Sequence, residues 1–183
     1  DSDRIAVVDT DTARLLGHVE TCTHPRSISA NEERLAVACP DVDAVRIYSL
    51  TETLPIVDID IDLDWGSRPF GVVFGEDSIY LTLQGTGELL NLDIDSGTEI
   101  DRITVGSDPR GLAWSSDHIA VSRHRSPDEG GEWWLVDTDD SSVRGYRLDP
   151  DPGPDSDTNA RGVPGYLQRL AFRPDGRTLL LPG

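Results

Sequence analysis

The chain has 183 residues, 37% of them apolar with four Trp, which is enough for one domain with a real core and rules out a disordered chain. Its 34 acidic residues against 16 basic ones give a formal charge of -18 and a pI near 4.3, which excludes a face for nucleic acid or anionic lipid, since both need clustered cations. Nothing approaches eighteen consecutive apolar residues, so no membrane-spanning helix is expected. All 16 basic residues are Arg, and the acidic excess is read as serving solubility.

In chain order, residues 4–12 (RIAVVDTDT) read as a β-branched strand closing in an Asp/Thr turn. The closing phrase returns at 45–52 (VRIYSLTE), 88–98 (ELLNLDIDSGT) and 132–140 (EWWLVDTDD). Another short strand follows each, at 15–20, 56–61, 99–105 and 143–148. Between these lie three gapless copies of a strand, turn and strand: 26–39 (RSISANEERLAVAC), 70–83 (FGVVFGEDSIYLTL) and 110–123 (RGLAWSSDHIAVSR). A looser copy is 168–181 (QRLAFRPDGRTLLL). Pro25, Pro69 and Pro109 lead into the first three, and Leu167 holds that place in the fourth.

Recurrence at roughly 40 to 45 residues is the period of a four-stranded propeller blade. The reading is therefore all-β, a single β-propeller domain or propeller fragment over 1–183 with four-stranded antiparallel blades and four repeats. Approximate repeats are 4–52, 53–98, 99–143 and 144–183. With the strands of a blade labelled a to d, the chain starts on d and stops after c, so the strand within 4–12 belongs to a split blade. Four blades close as a ring if the two chain ends pair; otherwise the chain is an arc of a six- to eight-bladed ring. The start in mid-blade favours the arc, whose end blades would expose apolar faces and self-associate.

The proline-led strand, the RPDG turn at 173–176, the SSD turn at 115–117 and the closing VVDTDT and LVDTDD together resemble the YVTN family of β-propeller repeats. The third strands depart from that family's signature, reading LAVAC, IYLTL, IAVSR and LLLPG, and only Tyr80 to Thr82 comes close. The segment 161–183 also resembles a stretch of propellers associated with di-haem c-type cytochromes of the peroxidase type. That resemblance implies an extracytoplasmic protein with a redox neighbour. No CxxCH occurs, so covalent haem attachment within this chain is excluded.

Cys22 and Cys39 fall in connections at the same end of one blade, so they are read as a disulfide or as two buried thiols. His18, His24, His118 and His124 are scattered without an HxH or HxxxH pair, a weak basis for a metal site. The run VDIDIDLDW at 57–65 places Asp58, Asp60, Asp62 and Asp64 on one side of a strand. Four carboxylates cannot be buried there unpaired. Solvent, Arg side chains or a cation must meet them, and calcium is the cation such oxygens would take. Asp149, Asp151, Asp155 and Asp157 offer a second oxygen-rich loop inside the Pro/Gly/Asp-rich insertion 149–165, without EF-hand spacing.

The repeat alignment puts Arg26, Phe70, Arg110 and Gln168 at one equivalent position, with Arg68 and Asp108 two residues earlier in their own repeats. Guanidinium forks carried at one height around a ring would hold a carboxylate or phosphate, with Arg26, Arg68, Arg110 and Gln168 as candidate ligand-binding residues. The simpler reading is structural, each Arg pairing with an Asp of a neighbouring blade. No GxSxG elbow, catalytic triad or phosphate-loop pattern is present, and Trp133 with Trp134 is read as core.

These features favour a non-enzymatic, periplasmic or extracellular propeller module that presents loops to a protein partner or small anionic ligand, with no resident cofactor beyond the calcium alternative. The loops at 123–132 and 149–165 are where it would look for partners. Its rivals are the propeller part of a lactonase-like or di-haem redox enzyme, and a structural surface-array repeat.

Overall fold

The computed structural model describes residues 3–151, 153, 162, 164 and 166–181. Sixteen strands and no helix occur among them: β1 (Arg4–Asp9), β2 (Arg14–Glu20), β3 (Ser27–Ala30), β4 (Arg34–Cys39), β5 (Ala44–Ser49), β6 (Ile56–Asp62), β7 (Pro69–Phe74) and β8 (Ser78–Leu83), followed by β9 (Glu88–Asp93), β10 (Glu99–Thr104), β11 (Pro109–Trp114), β12 (His118–Arg123), β13 (Gly131–Asp137), β14 (Val143–Leu148), β15 (Ala171–Phe172) and β16 (Leu179–Leu180). They form three four-stranded sheets, β3 to β6, β7 to β10 and β11 to β14, flanked by the two-stranded sheets β1–β2 and β15–β16. Every pairing is antiparallel and joins strands consecutive in the chain. The first strands β3, β7, β11 and β15 pack one against the next, which makes them the inner strands of adjacent β-propeller blades.

This arrangement moves the blade boundary expected from the sequence. The strand labelled a does not open a blade: β6, β10 and β14 each pair with the strand before them, as its outer neighbour. The cause is local. Asp9 Oδ1 accepts from the Thr12 amide and hydroxyl, both at 2.7 Å, and Asp93 Oδ1 accepts from the Ser96 amide at 2.8 Å and its hydroxyl at 2.7 Å. Ala13, Gly97 and Ser141 then take positive φ, and the chain reverses within a few residues. So tight a turn forces its two strands to pair with each other. In consequence β1–β2 take the third and fourth places of a blade and β15–β16 the first and second. Among the described residues these two sheets are not hydrogen-bonded to each other.

The middle strands β4 and β8 are buried at every residue after the first, and β12 over its central four, because blades cover both of their faces. Ile47, Ile79, Leu81, Leu83, Leu90 and Leu92 fill the space between the first two complete blades, joined by Ile59 and Ile61 from β6. Tyr80, Leu89, Ile119, Val121 and Val136 do the same between the second and third. Trp133 and Trp134 are less buried than a core reading requires: Trp134 packs at the edge of that cluster, and Trp133 stacks on Tyr146 at 4.4 Å. Strand β14 shows five exposed residues of six, as an outer strand should.

Hydroxyls stitch the inner strands together. Thr82 on β8 donates to the Arg110 carbonyl of the next blade at 3.1 Å, and Ser122, its equivalent on β12, donates to the Leu167 carbonyl at 2.7 Å. Gly71 and Gly111 sit opposite them, and a Cβ at either would meet the backbone of the following blade, at the Arg110 carbonyl or, at 2.9 Å, the Gln168 carbonyl. In the first complete blade the hydroxyl lies on the partner strand: Ala38 replaces it on β4, and Ser27 on β3 accepts from the Val72 amide at 3.3 Å.

Cys22 and Cys39 form a disulfide with Cα atoms 5.9 Å apart. Such a bond is compatible with an oxidising compartment. No helix among the described residues is long and apolar enough to cross a membrane. Most of the insertion 149–165, with Asp155 and Asp157, lies outside the described residues.

Candidate functional site: an arginine-lined channel mouth

Each inner strand is approached through a residue with left-handed backbone: His24, Arg68, Asp108 and Tyr166 have φ of 52, 49, 56 and 56°. Three of these precede proline, where such a conformation is unfavourable and costs on the order of 1–3 kcal/mol. The surrounding hydrogen bonds hold it. The Gln84 amide donates to the Arg68 carbonyl at 3.1 Å and the His124 amide donates to the Asp108 carbonyl at 2.9 Å, so the residue after each middle strand clasps the turn. Pro40 occupies that place in the first complete blade and has no N–H to give. The Cys22–Cys39 disulfide and a 2.7 Å contact between His24 Nδ1 and the Asp41 carboxylate tie the same two segments there.

The clasp brings four equivalent side chains together. Arg26, Phe70, Arg110 and Gln168 line a single cavity of about 550 Å³. An adjoining cavity of about 310 Å³ shares all four and adds Pro40, Asp41, Arg68 and Gln84. Among the described residues no carboxylate lies within 4 Å of the guanidinium of Arg26, Arg68 or Arg110, so the pairing of each with an Asp of a neighbouring blade is not seen there.

Arg110 is the most constrained of the three. Its guanidinium lies over the Phe70 ring, 4.0 Å from the centroid, and its Nη2 donates to the Gln84 side-chain oxygen at 3.4 Å. Gln84 in turn donates through its amide nitrogen to Asp108. Nη1 of Arg110 lies 2.7 Å from Nε2 of His124. A guanidinium cannot accept, so the imidazole accepts here and carries its proton on Nδ1. Burial, followed by repulsion from Arg26, Arg125 and Arg68, lowers the pKa of Arg110, with Asp108 opposing. Burial likewise lowers that of His124, helped by Arg110 and Arg125. Among the described residues His124 Nδ1 and Arg110 Nε are both buried without a hydrogen-bond partner.

The sequence places Arg26, Arg68, Arg110 and Gln168 at this mouth but passes over His124, Gln84 and Tyr166. A usable signal existed: Pro40, Gln84 and His124 each follow a middle strand, and only one of them titrates near neutrality. Tyr166 meets the His124 ring edge-on at 5.2 Å.

The aspartate row does not converge into a cation site. Alternate residues of an extended strand lie about 6.6 Å apart, and no group of three or more His, Cys, Asp or Glu among the described residues is placed to hold a metal ion. Arginines meet three of the four carboxylates: Asp60 pairs with Arg46 directly across the sheet at 3.2 Å, and Asp58 and Asp64 lie 3.8 Å from Arg34 and Arg102. Asp62 is exposed. His18, His24 and His118 do not line the mouth cavities, though His24 contacts Asp41, which does, and His118 lines a groove of about 490 Å³ with Trp133 and Phe172.

No protein-family model matches the sequence, and no curated protein matches it. Solved structures share its fold. Hydrazine synthase of Kuenenia stuttgartiensis superposes with a TM-score of 0.81 at 15% identity, over 98% of this chain and 49% of that one. A putative 6-phosphogluconolactonase from Bacteroides uniformis gives 0.70 at 13% over 98% and 57%. The Cps50 (Swd1) β-propeller domain of Myceliophteria thermophila gives 0.68 at 13% over the same shares. The chain thus spans about half the length of these three structures, and at these identities they share its β-propeller fold alone.

Proposed function

We propose that this chain is a binding part of an extracytoplasmic β-propeller that holds a small oxyanion, a carboxylate or phosphate, at the channel mouth through Arg26, Arg68 and Arg110. One observation carries the reading: in a chain of charge -18, three arginines from successive blades converge on one mouth and none is within 4 Å of a carboxylate among the described residues. Like charges brought together on a rigid scaffold repel, and an anion that accepts from planar forks relieves that repulsion. Phe70 beneath Arg110 and Gln84 beside it keep the guanidinium aimed. Placement outside the cytoplasm is supported by the disulfide.

Calorimetric titration with sulfate, inorganic phosphate and succinate tests this. A hydrogen bond to a charged group contributes about 1.5–3 kcal/mol. Arg26→Gln and Arg110→Gln should therefore each weaken binding by about tenfold or more. Equal affinity in wild type and both variants sinks the reading.

A lactonase-like reading draws on a separate observation, the buried neutral His124 beside the arginines, which is what a general base requires. Turnover of a phosphorylated sugar lactone by wild type, lost in His124→Gln, would establish it in place of simple binding.

A further inference from the structure

Against Arg110, which lines the mouth, lies a titratable group that the repeat does not need. Pro40, Gln84 and His124 hold one position after β4, β8 and β12, and the first two carry no ionisable side chain. His124 is only 6% exposed, and burying an imidazole there has a desolvation cost that Gln84 shows to be avoidable. Its Nε2 is engaged as an acceptor from Arg110 at 2.7 Å, while its Nδ1–H is buried with no acceptor among the described residues.

This inference rests on the oxyanion reading of the mouth and adds its regulation. We propose that the mouth takes up its anion together with a proton, which His124 receives as the anion displaces it from Arg110. Before binding, the Arg110 Nη1–H bond to Nε2 requires a neutral imidazole, because a second proton on Nε2 would set donor against donor. An anion oxygen placed between the two groups accepts from both. The Nη1–H to Nε2 hydrogen bond breaks, a proton from solvent forms the Nε2–H bond, and the oxygen receives one hydrogen bond from each. The balance is one anion and one proton taken up per site, with no other bond changed.

The charged groups around His124 oppose protonation until the anion arrives. Arg110 faces it from β11 and Arg125 from its own connection, while Asp108, ahead of β11, pulls the other way. Tyr166, from the segment before β15, meets its ring at 5.2 Å. Burial and the two arginines hold the free imidazole below the usual histidine range. A bound anion reverses the balance and raises it. The coupling therefore has a fixed sign: affinity rises as pH falls from the anion-bound His124 pKa towards the free one, by at most about tenfold per pH unit for one proton.

The experiment uses sulfate, whose charge is constant across pH 5.5 to 8, with calorimetry in two buffers of different ionisation enthalpy and imidazole titration by NMR. Wild type should take up close to one proton per sulfate at the middle of the range, bind more tightly at low pH, and show the His124 resonance titrating at higher pH once sulfate is bound. His124→Gln, copying the protein's own Gln84, should abolish both proton uptake and the pH slope. His118→Gln, away from the mouth, should keep them. Sulfate binding without proton uptake, or a pH slope that persists in His124→Gln, overturns the proton coupling and leaves the arginine site standing. No binding of sulfate, phosphate or succinate at any pH overturns the arginine site itself, and the coupling with it.

Discussion

At the scale of single residues, the mouth is held by a clasp whose chemistry changes from blade to blade. Where Gln84 and His124 donate a backbone hydrogen bond, Pro40 cannot, and the Cys22–Cys39 disulfide stands in its place. Closing a loop with a sequence separation of 17 removes unfolded-state freedom amounting to about 3 kcal/mol. The double variant Cys22→Ser/Cys39→Ser should lose about 2–4 kcal/mol of stability in urea unfolding. Because His24 and Arg26 flank the clasped turn, the variant should also weaken sulfate binding. An unchanged unfolding midpoint would show that the His24–Asp41 contact alone secures the segment. The disulfide was legible as one of two alternatives, since the spacing shows which loops the cysteines occupy but not whether their Cα atoms approach to 5.9 Å.

At the scale of elements, the inner strands meet through small residues and hydroxyls rather than through bulk. Gly71 and Gly111 leave room for the carbonyls of the following blade, and Thr82 and Ser122 satisfy two of them. The same carbonyls belong to residues at or beside the mouth, Arg110 and Leu167, so blade packing and site geometry are one structure. Ser122→Ala strands the Leu167 carbonyl in a buried place and should cost about 1–3 kcal/mol in chemical denaturation, the penalty of an unsatisfied buried acceptor. A cost below about 0.3 kcal/mol would mean that the blades are held by apolar contact alone. The repeat period exposed these strands as elements. The grouping into blades was displaced by one strand because pattern alone does not show which neighbour a strand pairs with. The hydrogen bonds in the turns after β1, β9 and β13 make that choice.

At the scale of the whole molecule, a charge of -18 surrounds a mouth that gathers cations. The outer face repels itself, and salt screens such exposed charges within about 8–10 Å. Raising sodium chloride from about 0.05 to about 1 M, where the Debye length falls to about 3 Å, should therefore raise the thermal midpoint while weakening sulfate binding, because chloride also competes for the arginines. A midpoint that falls with salt would show that the ion pairs of the outer face, such as Arg102 with Glu99 at 2.8 Å, outweigh the repulsion. By itself the sequence determined the all-β class, the propeller period, the turns and the equivalence of Arg26, Phe70, Arg110 and Gln168, since all of these are short-range patterns repeated along the chain. Only the tertiary structure decided that Arg26, Arg68 and Arg110 have no carboxylate within 4 Å among the described residues, that the aspartate row meets arginines instead of converging, and that His124 lies 2.7 Å from Arg110. Those outcomes depend on which charges distant blades bring within a few ångströms of one another. A linear pattern states the height of each residue in its blade, and the packing of blades around the axis states what it faces.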